Sequence, residues 1–354
     1  MKIKRNIHFI EDKKLYYIKD IFFKMGIQEI VTIERVMSGQ INEVYAVNNK
    51  FIVRLSSGKQ DGLTFLKEYK IYKIIKEYLK IPLILFTDFS RKKIPFDVII
   101  SLKLDGKTLA HQWVFSSVKQ RQFYIKQLCQ ELKILHNLPL SNFPFLIKNN
   151  NFSHWWPKKY KRYIEDCFKK ARKDSEIDRK VVRELEKYYN NHKYVLVSES
   201  DHYVLVHADI HFENILVNDN NIFMLLDFEY SDIAPFDFEL SKIINFCFTP
   251  EKFVEKKLES YYQDNHPIEI LKWFKQFYPE LFENEKLLER QRIFIIPDIL
   301  WGYKWVYLPK IERWHKSDLR NKKLKAKEIS KQLKIASKRY EDIFVNDILS
   351  KYLS

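Results

Sequence analysis

Glycine is scarce: six in 354 residues, with no Gly-x-Gly-x-x-Gly run anywhere, so any backbone cradle for phosphate has to be made without that loop. Cysteine is scarcer. Cys129, Cys167 and Cys247 are odd in number and far apart, pointing to neither a disulfide framework nor a zinc site, and a reducing cytoplasm is the expected setting. No stretch reaches the roughly 18 apolar residues of a membrane span, and MKIKRNIHFIEDKK has charge without a signal peptide's apolar core. Low-complexity segments and internal repeats are also missing. What is there is a globular composition, 46% hydrophobic and 16% aromatic, in a chain long enough for about two domains.

The formal net charge of +16 raises the question of nucleic acid. Much of that charge is local, with eleven Lys and Arg against three acids between residues 311 and 340. Ile329, Leu333, Ala336, Tyr340 and Ile343 recur at spacings of 4, 3, 4 and 3, one apolar stripe on a helix over about 317–348. A docked helix with a solvated basic face accounts for this pattern. It is preferred to a nucleic-acid or membrane-surface device, so neither nucleic acid nor membrane is an expected partner.

Residues 204–239 read VLVHADIHFENILVNDNNIFMLLDFEYSDIAPFDFE. His207, Asp209 and Asn214 fall on one loop after the apolar run 203–206. The short runs 215–217 and 222–226 flank the turn 218–221, which predicts a hairpin that returns Asp227 to the side of Asn214. That set suits magnesium-dependent phosphoryl transfer. An acceptor hydroxyl must be oriented and relieved of its proton, work for a carboxylate such as Asp209, and the metal needs hard oxygens, which Asn214 and Asp227 can supply.

On these residues the chain resembles the kinase-like small-molecule phosphotransferases, the superfamily of aminoglycoside phosphotransferases and choline/ethanolamine kinases. The resemblance implies a bilobal, protein-kinase-like α+β fold. Its N-terminal lobe, about 1–103, would be an antiparallel β-sheet with one αC-like helix, and its C-terminal lobe, 104–354, mostly helical. It implies Asp209 as catalytic base, Asn214 and Asp227 as magnesium ligands, His207 and Asp237 as structural, and ATP or GTP as donor bound between the lobes. Protein kinases usually carry Lys two residues after the catalytic Asp, where this chain has His211, and have an APE segment that is not found here. Asp227-Phe228-Glu229 in place of DFG likewise favours the small-molecule branch.

Upstream, 29–36 and 43–47 read as strands around Met37-Ser38-Gly39-Gln40-Ile41-Asn42, a turn whose N–H groups can cover phosphates. By resemblance Ser38, Gly39 and Asn42 belong to the nucleotide site. Arg54, in the strand KFIVRL of 50–55, takes the place of the kinase lysine and can hold two phosphate oxygens at once. Glu68, on a predicted helix over 63–78, is the candidate partner of Arg54, with a surface pairing to Lys67, Lys70 or Lys73 as the competing explanation. Two further strands, 84–86 and 97–102, lead into a hinge-like segment where backbone groups near Leu102 and Leu104 would meet the adenine edge.

The region 115–136 has helical spacing and ends in Leu135-His136, with His136 read as a packed helix-end residue. Trp155-Trp156-Pro157 opens two charged helical segments, 158–172 and 175–190, read as an insertion over about 155–192. Ser175 with Asp178 resembles a capping box. Acids gather after the metal residues: Glu229, Asp232, Asp237 and Glu239, then Asp264 and Glu269. One or two of them are expected to meet a cationic acceptor, with Glu229, Asp232 and Asp264 as the candidates. Ile299–Trp305 resembles the LWG-x-x-W segment of choline/ethanolamine kinases, which makes Trp301 and Trp305 candidates for a quaternary ammonium.

The expectation is a cytoplasmic phosphotransferase, monomer or dimer, that moves the γ-phosphate of ATP or GTP to a hydroxyl of a small cationic molecule. An aminoglycoside-type acceptor is preferred, with choline or ethanolamine as alternative. A protein kinase and a nucleic-acid-binding pseudokinase are the remaining alternatives.

Overall fold

The computed structural model describes residues 2–36, 42–56, 63–147, 151–174, 177–198, 201–218, 223–265, 267–301, 343–344, 347 and 349–353. Residues 37–41 of the expected phosphate turn at 37–42, and most of the expected C-terminal helix at 317–348, lie outside the described residues. The chain divides into two compact units, one of residues 1–106 with 218–220 and 226–230, the other of the remainder. No helix among the described residues is long and apolar enough to cross a membrane.

The first unit is an antiparallel sheet of five strands in the order β1-β2-β3-β5-β4. Its strands are β1 (Ile33–Val36), β2 (Glu43–Val47), β3 (Phe51–Leu55), β4 (Ile84–Asp88) and β5 (Val98–Leu102). Asn48 and Asn49, at φ 52° and 53°, turn β2 into β3, since asparagine tolerates the left-handed region better than most residues. Asn48 also shortens β1. Its side-chain oxygen accepts the N–H groups of Val31 and Thr32 and its amide donates to the Glu29 carbonyl, so the expected strand over 29–36 begins only at Ile33.

Two helices belong to this unit. In α1 (Lys2–Lys24), Tyr17, Ile18, Ile21 and Phe22 are buried against Val47, Val53, Leu55, Val98 and Ile100 of the sheet. One αC-like helix was expected in this lobe, and α1 is a second. The buried Lys14 ammonium meets Glu43 at 2.7 Å, at the first residue of β2. α2 (Leu63–Ile75) buries Phe65, Glu68, Ile71, Tyr72 and Ile75, a stripe at helical spacing that includes one carboxylate.

The second unit opens with β6 (Lys107–Thr108) and continues as α3 (Leu109–Val114) and α4 (Val118–His136). The helix expected over 115–136 begins only at Val118, because Ser117 caps α4, accepting the Gln120 N–H. Next come α5 (Phe152–Ala171) and α6 (Arg179–His192). Ser175 lies outside the described residues, and Asp178 is the N-cap of α6, accepting from Lys180 N–H at 2.7 Å, as the residue preference predicts.

Strand β7 (Tyr203–Val206) pairs with β10 (Asp232–Pro235), while β8 (Ile215–Val217) and β9 (Phe223–Leu225) form the expected hairpin with Ile215 opposite Leu225. The later helices are α7 (Phe238–Phe248), α8 (Glu259–Asp264), α9 (Glu269–Phe277) and α10 (Leu287–Trp301). The core gathers rings from α5, α7 and α10. Trp156 stacks on Tyr160 with centroids 4.9 Å apart, and Phe238 and Phe294 meet both edge-on, the geometry favoured by ring quadrupoles.

Candidate active site

In the second unit, β7 delivers the chain into His207, Ala208 and Asp209, and a 3-10 turn over Phe212–Asn214 leads out to β8. His207 is buried, and Ser231 donates its hydroxyl to the His207 carbonyl at 3.2 Å. Ala208 has φ 62°, which for a residue with a Cβ stores strain of the kind found at functional sites. Asn214 turns back on Asp209. Its Nδ2 donates to the Asp209 carbonyl at 3.0 Å and to Oδ2 at 3.1 Å, which fixes the carboxylate while its side chain stays 29% exposed.

His211 and Phe212 flank that carboxylate. His211 Nε2 lies 3.6 Å from Asp209 Oδ2, and its ring stacks on Phe253 at 4.6 Å. Phe212 is buried between Trp113 and Phe246. The loop is thus pinned by packing on one side and hydrogen bonds on the other, with the Asp209 carboxylate partly exposed.

In the first unit, Arg54 is the centre of a charged cluster. Nη1 meets Glu68 Oε1 at 2.6 Å, and Nη2 lies 3.2 Å from Asp227 Oδ1 and 4.0 Å from Glu229 Oε2. Burial alone would lower the guanidinium pKa, but Glu68 and Asp227 hold it well above its ordinary value. Asn42 donates to Glu229 Oε2 at 2.9 Å. Burial, and next the neighbouring Asp227 charge, push the Glu229 carboxyl up to about 8. Asp227 sits at φ 63°, with its N–H donating to the Tyr72 hydroxyl at 3.3 Å.

Ser38 and Gly39 lie outside the described residues, and Asn42 is the first residue described after them. Leu102 closes β5, donating its N–H to the Leu83 carbonyl, and Lys103 donates to Lys50. Leu104 follows, half-buried. Trp301 ends the α10 backbone; its side chain and all of Trp305 lie outside what is described.

Most of the acids singled out for substrate are engaged elsewhere. Glu229 belongs to the Arg54 cluster, Asp232 pairs with Lys159, and Glu269 pairs with Lys272 at 2.9 Å. Asp237 receives both arms of Arg290 at 2.7 Å. The fully buried Glu239 accepts the N–H groups of His207 and Ala208. Asp264 is exposed at the end of α8.

Sequence reasoning passed over Tyr72, Arg290 and the task of Glu239. Tyr72 stands four residues after Glu68 on the same face of α2, a signal that was available. Arg290 and Glu239 act across 53 and 32 positions, where no local pattern marks the pair.

The model of one protein family, the phosphotransferase enzyme family, matches residues 32–271. No curated protein sequence matches the chain. Among solved structures, the GDP complex of aminoglycoside 2'-phosphotransferase-IIIa superposes with a TM-score of 0.63 at 15% identity, over 94% of this chain and 99% of that one. The streptomycin–ATP–APH(2")-IIa ternary complex gives 0.53 at 18%, over 80% and 90%. APH(4)-Ia gives 0.52 at 14%, over 91% and 97%. At these identities the likeness establishes the kinase-like α+β fold.

Proposed function

Because the chain belongs to the phosphotransferase enzyme family, and so is a small-molecule kinase, we propose that it moves the γ-phosphate of ATP or GTP to a hydroxyl of an aminoglycoside-type acceptor. The observation that carries this reading is the Asp209 carboxylate, partly open, on a strained loop, with Asn214 Nδ2 donating to its Oδ2 and to the Asp209 carbonyl. In that position it can take the proton of an acceptor hydroxyl as phosphoryl transfer proceeds. Arg54, kept charged by Glu68 and Asp227, is the cation for the donor's phosphate oxygens, with Asn42 on the same cluster and Leu102 and Leu104 at the adenine.

Magnesium, when bound, neutralises phosphate charge. Asn214 and Asp227 are the residues to hold it. The donor set fits a hard ion: Asn214 spends Nδ2 on Asp209, leaving Oδ1, and Asp227 gives Oδ1 to Arg54, leaving Oδ2.

The aminoglycoside reading is supported by solved structures of similar fold that hold kanamycin, gentamicin or streptomycin. In this chain Asp264 is exposed, and Asp232, whose Oδ1 accepts the Ile233 N–H, pairs through Oδ2 with an exposed lysine that a substrate ammonium can displace. A reducing cytoplasm is part of this reading, and Cys129, Cys167 and Cys247, all buried and none in a disulfide, suit it.

The test is magnesium-dependent consumption of ATP and GTP over a panel of aminoglycosides, choline, ethanolamine and other hydroxylated metabolites, with product masses read for one added phosphate. Asp209→Ala is expected to cut turnover by at least ~10²-fold with nucleotide affinity nearly unchanged. Full turnover in that variant would refute the assignment of the base.

A further inference from the structure

Glu239 lies on α7 outside any motif, yet its fully buried carboxylate takes the two N–H groups that open the catalytic loop. His207 N–H donates to Oε2 at 2.6 Å and Ala208 N–H to Oε1 at 3.1 Å. Hydrogen bonds to an ionised acceptor are the stronger kind. Ala208, at φ 62°, is in a conformation an alanine keeps only where its surroundings over-determine it. The residue that follows is Asp209.

Behind Glu239 stands a second layer. His136 Nε2, at the end of α4, is 3.4 Å from Glu239 Oε2, and His136 Nδ1 is 2.9 Å from the Tyr278 hydroxyl. One assignment satisfies all three groups: Tyr278 donates to Nδ1, and Nε2–H donates to the carboxylate. Tyr278 and His136 are both buried, and the His136 ring also meets the edge of Phe236. All of these residues lie in the second unit.

We propose that Glu239 is a positioning residue for Asp209, and that Tyr278 and His136 hold Glu239 in place. Its two oxygens clamp consecutive N–H groups and thereby set the left-handed turn at Ala208 that aims the Asp209 side chain. This inference rests on the reading of Asp209 as base. A glutamine at 239 can accept only one of the two donors and turns its own NH2 group toward the other, so the clamp is lost while the volume is kept.

The experiment follows hydrolysis of magnesium–ATP, with water as acceptor, in the wild type and in Asp209→Ala, Glu239→Gln and Tyr278→Phe, together with amide hydrogen exchange at each residue. Glu239→Gln is expected to lower kcat about 10²-fold while the KM for magnesium–ATP stays within about twofold. Exchange should quicken at His207 and Ala208 with the β7 amides still protected, and Tyr278→Phe should show the same pattern in weaker form. Unchanged kcat and unchanged exchange in a folded Glu239→Gln protein would overturn the proposal. So would a parallel loss of kcat, KM and β7 protection, the mark of a merely structural role. If Glu239→Gln does not fold, Tyr278→Phe carries the test on the same readouts. If Asp209→Ala hydrolyses ATP normally, the reading of the base fails, and the exchange data still decide whether Glu239 fixes the loop.

Discussion

Arg54 meets Glu68 at 2.6 Å, and the Glu68 side chain has no exposure at all. Neither charge suits its surroundings alone. Removing Arg54 as Arg54→Met leaves a carboxylate buried without its cation, which typically costs about 3–5 kcal/mol. Glu68→Gln removes the buried charge and keeps a hydrogen-bond acceptor, so its loss should be about 1–2 kcal/mol. Urea denaturation of the two variants checks the order, and equal losses would show that the pair is not coupled in this way.

Asn214 Nδ2 bonds to Asp209, and the proposed function gives Asn214 two tasks, orienting that carboxylate and offering Oδ1 to magnesium. Asn214→Ala abolishes both, so kcat should fall about 10²-fold and the magnesium concentration for half-maximal rate should rise. Asn214→Asp keeps an oxygen for the ion but sets a second carboxylate against Asp209. It should lower kcat with a smaller change in the magnesium requirement. A magnesium titration at saturating nucleotide separates the two effects, and an unchanged half-saturation in Asn214→Ala would remove it from the metal site.

What could be read from sequence was short-range. The spacing in HADIHFEN brings Asn214 back to Asp209 within one turn, and the hairpin 215–225 follows from two short apolar runs around Asn-Asp-Asn-Asn. Glu68 was found by its likeness to the helix glutamate of kinases, and its pairing with Arg54 rather than with a neighbouring lysine is what the structure adds. The misses at Asn48, Glu239 and Arg290 share a physical cause, because they depend on contacts distant in sequence. Asn48 trims β1 from seventeen residues away, Glu239 clamps the loop from α7, and Arg290 ties Asp237 from α10. α1 was missed for a different reason. Its opening is charged, and the stripe Tyr17-Ile18-Ile21-Phe22 declares itself only once the sheet is there to cover it. The acids after Asp227 were legible as charges but not as pairs, since the partners of Glu229, Asp232 and Asp237 come from β3, α5 and α10, whereas Glu269 meets Lys272 within α9.

The aromatic cluster in the second unit makes a stability prediction. Trp156 stacks on Tyr160 and meets Phe238 and Phe294 edge-on, joining α5 to α7 and α10. Trp156→Ala should cost about 3–5 kcal/mol, because burial is lost and a cavity remains. Trp156→Phe, which keeps a ring in the stack, should cost less. Thermal melting of both variants tests this, and a small loss in Trp156→Ala would mean that α5 is not docked through this residue.

Asp201 gives the pH dependence. Arg290 is grasped by Asp237 at 2.7 Å and lies 3.1 Å from Asp201. Burial raises the Asp201 carboxyl, and Arg290 opposes it less strongly, so the group moves from 3.8 up to about 6. Below the ordinary value the folded and unfolded chains are both protonated, and Asp201 has no pH effect. From 3.8 to about 6 the folded chain keeps a proton that the unfolded chain has released, so raising the pH there favours unfolding. Above that window the cost of the buried charge is constant. Asp201→Asn should therefore flatten the fall of the melting temperature across this window and leave the rest of the profile in place. Melting curves taken every half unit from about pH 4 to 8 test it. A profile identical to the wild type would show that Asp201 is already ionised throughout and that Arg290 balances both carboxylates.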